Sequence, residues 1–260
     1  DDVVTIEADE LIDDENDVEI SGFTVSGNNS TDDYELTVEG AGSIIVNDLG
    51  ADLDASTLTG DLSIALLGAS AIQAVTTGGF DDVDIKLGSA NIDINTRTTD
   101  ETDVTLDANA VASGNSITIG GKGAAEVFNV NDGVTVDAQS GVTGATSMTG
   151  ALDVFTGSLG ANEGAIVKTG TNQTTVVGDG SSSATIRVHA DSLAQAAGTN
   201  NNDLILRGPT AFVVTALAAD LMASTSTGEI DVTTDDNASA DTLDLTTGSG
   251  DFTVSGIDAL

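Results

Sequence analysis

Aspartate and glutamate dominate the chemistry open to this chain. Across 260 residues, 43 acidic side chains face 6 basic ones, for a formal net charge of −37. The acids bunch between apolar runs: Asp13-Asp14-Glu15-Asn16-Asp17, Asp32-Asp33, Asp81-Asp82 with Asp84, Asp100-Glu101 with Asp103, and Asp235-Asp236-Asn237. Hard oxygen donors grouped at turns, beside carbonyls freed by glycine, are what Ca²⁺ coordination requires. The candidate ligands are Asp48, Asp52, Asp81, Asp82, Asp84, Asp235, Asp236 and Asp241. Two other readings of the same charge stand beside this one. The carboxylates can be solvated groups that keep the protein soluble, or the acidic surface of a protein adapted to high salt.

Other chemistry is scarce. There is no Cys, so disulfides and thiolate metal sites are ruled out. The single histidine, His189, stands two residues from Arg187, and alternation puts both on one strand face, read as solvent-facing. A lyase or epimerase set for anionic sugars would need such groups with carboxylates, and nothing else here supports one. Substrate clefts for sugars are commonly walled by Trp and Tyr, yet the chain has no Trp and one Tyr, Tyr34. Gly120-Gly-Lys-Gly123 lacks the spacing of a phosphate loop. The charge repels nucleic acid, and the basic residues are spread along the chain. No 18-residue apolar run exists, so no membrane insertion is expected. The chain is read as a non-enzyme.

The elements that carry these residues are short strands. Apolar and polar residues alternate in runs such as Leu62-Ser-Ile64, Val83-Asp-Ile-Lys-Leu87, Asp103-Val-Thr-Leu106, Ser116-Ile-Thr-Ile119 and Ala184-Thr-Ile-Arg-Val188. Gly, Asn, Asp and Ser separate them roughly every ten residues. Two stretches, 193–197 and 215–222, have the composition of short helices. The six Phe are expected to stack in the core, as is Met148.

The sequence also repeats. Residues 35–60 and 203–228 share twelve identities at a constant offset of 168 without a gap, among them Gly40/Gly208, Leu49/Leu217, Ala55/Ala223 and Gly60/Gly228. A third copy runs from Ala145 to Val154, matching Ala55 to Ile64. The organisation expected is an acidic N-terminal cap over 1–34 and repeats over 35–124, 125–202 and 203–260. A finer period of about 21 residues separates Ile64, Ile85 and Leu106 in turn. Coils of about 21 residues, with two or three short strands apiece, describe an all-β parallel β-helix, or β-solenoid. About twelve coils stacked ~4.8 Å apart would make a rod of roughly 55–60 Å. Tandem β-sandwich domains are the alternative, since about 80–90 residues with six or seven strands also suit that fold.

Within this pattern lies a family resemblance. The turns Thr77-Gly-Gly-Phe-Asp-Asp-Val-Asp-Ile85, Ala238-Ser-Ala-Asp-Thr-Leu-Asp-Leu245 and Gly248-Ser-Gly-Asp-Phe-Thr-Val254 look like eroded copies of the Gly-Gly-x-Gly-x-Asp-x-apolar-x nonapeptide of repeats-in-toxin proteins. The phrase Leu53-Asp-Ala-Ser-Thr-Leu-Thr-Gly60 is similar to the β-helical part of bacterial surface-layer proteins that share this secretion type. The resemblance implies export without a cleaved leader, Ca²⁺ as cofactor, and calcium-triggered folding and assembly at the cell surface. The opening at Asp1, without a signal-like segment, reads as a mature product or a piece of a longer protein. The expected role is an extracellular structural protein forming a surface layer or filament. Its partners are copies of itself and divalent cations, with cell-surface polysaccharide as a further partner. An adhesin or stalk module of a large secreted protein is the first alternative, and a β-helical carbohydrate-active enzyme the second.

Overall fold

The computed structural model describes residues 3–8, 18–21, 35–66, 73–77, 83–96, 103–121, 123–138, 148, 150–193, 203–234 and 244–256. Among them the chain forms twenty-three strands and no helix. Successive strands alternate between two sheets. The odd sheet starts with β1 (Val3–Ala8), β3 (Glu35–Gly40), β5 (Asp52–Leu58), β7 (Gln73–Thr76), β9 (Ile92–Asn95) and β11 (Ser116–Gly120). It continues through β13 (Thr135–Asp137), β15 (Ile166–Lys168), β17 (Thr185–His189), β19 (Ala211–Leu217), β21 (Ile230–Thr234) and β23 (Phe252–Ser255). The even sheet starts with β2 (Val18–Ser21), β4 (Ile44–Leu49), β6 (Leu62–Leu66), β8 (Val83–Lys86), β10 (Asp103–Asp107) and β12 (Ala124–Val130). It ends with β14 (Leu152–Thr156), β16 (Thr174–Val177), β18 (Leu204–Gly208), β20 (Leu221–Ser226) and β22 (Leu245–Thr246).

Every strand pair is parallel, each strand lying on the one two positions earlier. That is the β-solenoid expected from the repeats, with two strands per coil. It displaces the β-sandwich alternative, whose hairpins need antiparallel neighbours. The sequence period is literal in the middle of the even sheet, where Leu62, Val83, Val104 and Ala125 stack in turn. Elsewhere the loops change the coil: paired residues are 17 apart from Glu35 to Asp52 but 32 apart from Val3 to Glu35. Residues 215–222, whose composition suggests a short helix, are divided between β19 and β20. Leu217 and Leu221 turn inward on either side of a short turn, and parallel pairing on β17 and β18 satisfies the backbone of the two strands. Of 193–197, all but Leu193 lie outside the described residues.

Alternation explains the core. Ile64, Ile85, Leu106, Val127 and Val154 form one inward row, each at most 2% exposed. On the odd sheet Val136, Val167, Val188, Val214 and Val232 form another. Each full burial of such a side chain contributes about 1.5–3 kcal/mol. Met148 is buried as expected, and so is Phe212, while Phe252 packs against the core partly buried. Phe128 and Phe155 are not core: they lie half-exposed on the outer face and stack on each other with centroids 4.7 Å apart. Phe23 and Phe80 lie outside the described residues. Thr77, Thr96 and Thr234 sit buried where strands end, each hydroxyl donating to a carbonyl of the next coil (Asn95, Gly120 and Ser255). These bonds give the coil corners a polar stitch that alternation alone does not reveal.

The 168-residue repeat carries β3–β6 onto β18–β21, fifteen strands later. Fifteen is odd, so each copy lies in the opposite sheet from its mate. Geometry is nonetheless preserved. Gly40 and Gly208 have φ of 113° and 100°, a region open to glycine. Thr59 N–H donates to the Gly40 carbonyl at 2.8 Å, and Thr227 N–H to that of Gly208 at 2.9 Å. Asp48 and Ala216, also mates, have φ of 55° and 56° where the ladder bulges between Val46 and Leu49 and between Val214 and Leu217. The same four-strand phrase is therefore carried by either sheet.

Candidate functional site

Polar chemistry sits on the outward rows of the strands. On the even sheet Ser63, Asp84, Thr105, Glu126, Asp153 and Thr175 stack directly, one per strand from β6 to β16. Parallel pairing fixes the step between them at ~4.8 Å. Beside this row run Ala65, Lys86, Asp107 and Phe128. Asp107 is held in place, its Oδ1 accepting from the Asn129 Nδ2 at 2.9 Å and the Asn109 N–H at 3.1 Å.

Two depressions open along the row and meet at Thr105. One, of about 310 Å³, lies between Thr105, Glu126 and Asp153 with Ala124, Ala125 and Ala151 lining it. The other, of about 220 Å³, lies between Ser63, Asp84, Lys86 and Asp107. The small alanine side chains leave the room that the first occupies. Glu126 and Asp153 stand directly opposite each other across β12 and β14, a like-charged pair. Such pairs destabilise a sheet unless a cation sits between or near them.

On the odd sheet Asp137, Lys168, His189 and Thr215 stack in a second polar row, Asp137 buried and the others half-buried. Lys168 Nζ pairs with Asp137 Oδ2 at 2.6 Å. His189 Nδ1 and Thr215 Oγ1 lie 3.1 Å apart, the ring tautomer deciding which donates. Arg187, exposed, occupies the neighbouring outward position between Ile166 and Val213. The basic residues are thus not uniformly spread: Lys168, Arg187 and His189 share two adjacent strands. The signal for this is the period itself, since Lys168 and His189 stand one coil apart in the chain.

A third polar stack sits where strands of the even sheet begin. Asp203, Asp220 and Asp244 precede β18, β20 and β22, and the carbonyls of Asp220 and Asp244 accept the N–H groups of Leu204 and Leu221. Asp244 N–H donates to Asp220 Oδ1 at 2.8 Å. Burial, and then the neighbouring Asp220 charge, raise the Asp203 carboxyl above its ordinary range.

Of the eight candidate calcium ligands, three are described. Asp48 is exposed at the bulge of β4, Asp52 opens β5, and Asp84 stands in the outward row of β8. These three lie on separate strands, with Asp52 in the other sheet, and form no common metal centre. Asp81, Asp82, Asp235, Asp236 and Asp241 lie outside the described residues. Among the described residues no three Asp, Glu or His side chains converge as a metal centre would require. Nor is any helix among them long and apolar enough to cross a membrane. The described carboxylates are placed to act as a distributed negative field, with much of the charge on strand faces as well as at turns.

Comparison of the chain with protein-family models, with curated proteins and with solved structures returns no match.

Proposed function

We propose that this chain is a structural module of an extracellular coat or filament, and that it self-associates when cations neutralise its charge. The observation that carries this reading is the direct stacking of the outward row from Ser63 to Thr175, with like charges such as Glu126 and Asp153 held one strand apart. Two unit charges about 5 Å apart in water repel by about 0.8 kcal/mol, and salt weakens the effect. With a net charge of −37 on one chain, rods repel each other until counter-ions accumulate. Calcium is the cation proposed, because carboxylate oxygens are its preferred ligands. In the described region it would act between carboxylates on neighbouring surfaces, since no preformed cage occurs there. A location outside the cell belongs to the same proposal. Circular dichroism and sedimentation velocity, with EDTA and then with added CaCl₂, test it. The expected result is growth in particle size with calcium at unchanged strand content. A size indifferent to calcium removes the cation-driven reading.

The adhesin reading has one specific support. The stacked Phe128 and Phe155 beside a row of hydroxyls and carboxylates present the mixture of flat apolar and hydrogen-bonding groups that sugars use. A glycan array read with the wild-type protein tests it, and binding lost in Phe128→Ala would favour it.

A further inference from the structure

The two faces of the rod are complementary. The even sheet offers a depression of about 310 Å³ between Glu126 and Asp153, lined by Ala124, Ala125 and Ala151. The odd sheet offers Arg187, exposed and flanked by half-buried Ile166 and Val213, with Lys168 and His189, also half-buried, on the neighbouring polar row. We infer that Arg187 of one copy inserts between Glu126 and Asp153 of a second copy, joining rods side by side.

The chemistry fits at each point. Carboxylates one strand apart are separated by about the distance that a guanidinium, with N–H donors diverging from a plane, can bridge. Among the described residues, neither Glu126 nor Asp153 has a cation beside it in its own row: their neighbours there are Thr105 and Thr175. The alanines leave space for the arginine stem, whose methylenes can pack on them. Lys168 already shares its charge with Asp137, which makes Arg187 the better guest. The occupant is a second copy because the match is mutual, guest and host lying on opposite sheets of the same chain.

A contact between opposite faces is heterologous, and between parallel rods, with no rotation to close a ring, it propagates from copy to copy. Arg187 lies on the ninth strand of the odd sheet, and Glu126 and Asp153 on the sixth and seventh of the even sheet. Parallel rods joined this way are therefore staggered by two to three coils, about 10–14 Å.

This inference rests on the self-association proposed above, and the test separates the two. Sedimentation velocity in CaCl₂ compares wild type, Arg187→Glu, Glu126→Arg and Arg207→Glu. The last makes the same charge change as Arg187→Glu at an exposed arginine on the other sheet. Arg187→Glu and Glu126→Arg should each weaken association about tenfold or more, while Arg207→Glu stays within about twofold of wild type. Mixing Arg187→Glu with Glu126→Arg should restore assembly, because each then meets an opposite charge at both faces. If wild type assembles but Arg187→Glu matches it, or falls no further than Arg207→Glu, the contact is wrong and self-association stands. Failure of the mixture to assemble also overturns the contact. If Glu126→Arg instead abolishes binding on a glycan array while assembly persists, the depression is a sugar site and the contact is again wrong. No assembly of wild type at any calcium level overturns the functional proposal itself.

Discussion

Gly228 tests how tightly the coils are stacked. A methyl carbon placed there would overlap the carbonyl carbon and oxygen of Thr210 and lie 2.7 Å from the Pro209 oxygen. A tolerable carbon–oxygen contact is about 3.3 Å, so the Pro209 contact alone asks the coils to part by about 0.6 Å, and Thr210 asks for more. The obstacles are main-chain atoms, which cannot rotate aside as a side chain can. Parting the coils strains the flanking bonds from Thr227 N–H to Gly208 and from Phe212 N–H to Glu229. Two backbone bonds at about 0.5–1.5 kcal/mol each, plus an overpacking cost of about 1–3 kcal/mol, place Gly228→Ala at about 2–6 kcal/mol. The reference is Gly114→Ala, where no atom lies within 4 Å but φ is +88°. There the cost is conformational alone, about 1–2 kcal/mol. The repeat mate Gly60, whose added carbon meets the Gly42 oxygen at 2.5 Å, should fall between. Urea unfolding followed by far-ultraviolet circular dichroism, at fixed salt and calcium, measures all three. Gly228→Ala as stable as Gly114→Ala would refute the claim that backbone contact between coils, and not φ, keeps glycine there.

Two further substitutions probe the core and the charge. Ile85→Ala, at a residue 2% exposed in the middle of an inward row, should lower unfolding free energy by about 2–5 kcal/mol, and Ile85→Val by about 0.5–1.5 kcal/mol. Denaturant titration reads both, and equal losses would mean that the row relaxes around the cavity. Asp203 has its folded pKa above the ordinary 3.8, so the folded state holds that proton more tightly than the unfolded chain. Its ionised form costs stability at neutral pH, and the cost disappears as pH falls through the folded value and then below 3.8. Asp203→Asn should therefore raise the melting temperature at pH 7 and have no such benefit at pH 3. A benefit that grows on acidification would contradict the assigned burial cost and the repulsion by Asp220.

Much of the fold can be read from the chain because a solenoid writes its packing into local spacing. The alternation in Val83-Asp-Ile-Lys, and its return one coil later, carries both strand direction and stacking partner. Where loops differ in length that arithmetic breaks. Glu126 and Asp153 are separated by more than one period, so spacing does not disclose their pairing. Hydrophobicity alone assigns Phe128 and Phe155 to the core, although alternation beside buried Val127 and Val154 turns them outward. Of the candidate acids, Asp48 illustrates a different limit. Its backbone sits at φ 55° in a bulge, and its mate Ala216 has nearly the same conformation without a carboxylate. The shared feature is thus the bend, which residue type alone does not disclose.

Composition and period by themselves determined a charged, parallel, coiled stack, because side-chain alternation and coil length are local properties of a chain. Which residues meet across coils was decided only by the tertiary structure. Register depends on every intervening loop, and a single strand of difference moves a residue to the opposite face of the rod. That is why the 168-residue repeat reads as two equal copies in sequence and stands on opposite sheets in space. It is also why Glu126 and Asp153, more than one period apart in the chain, stand opposite each other on neighbouring strands.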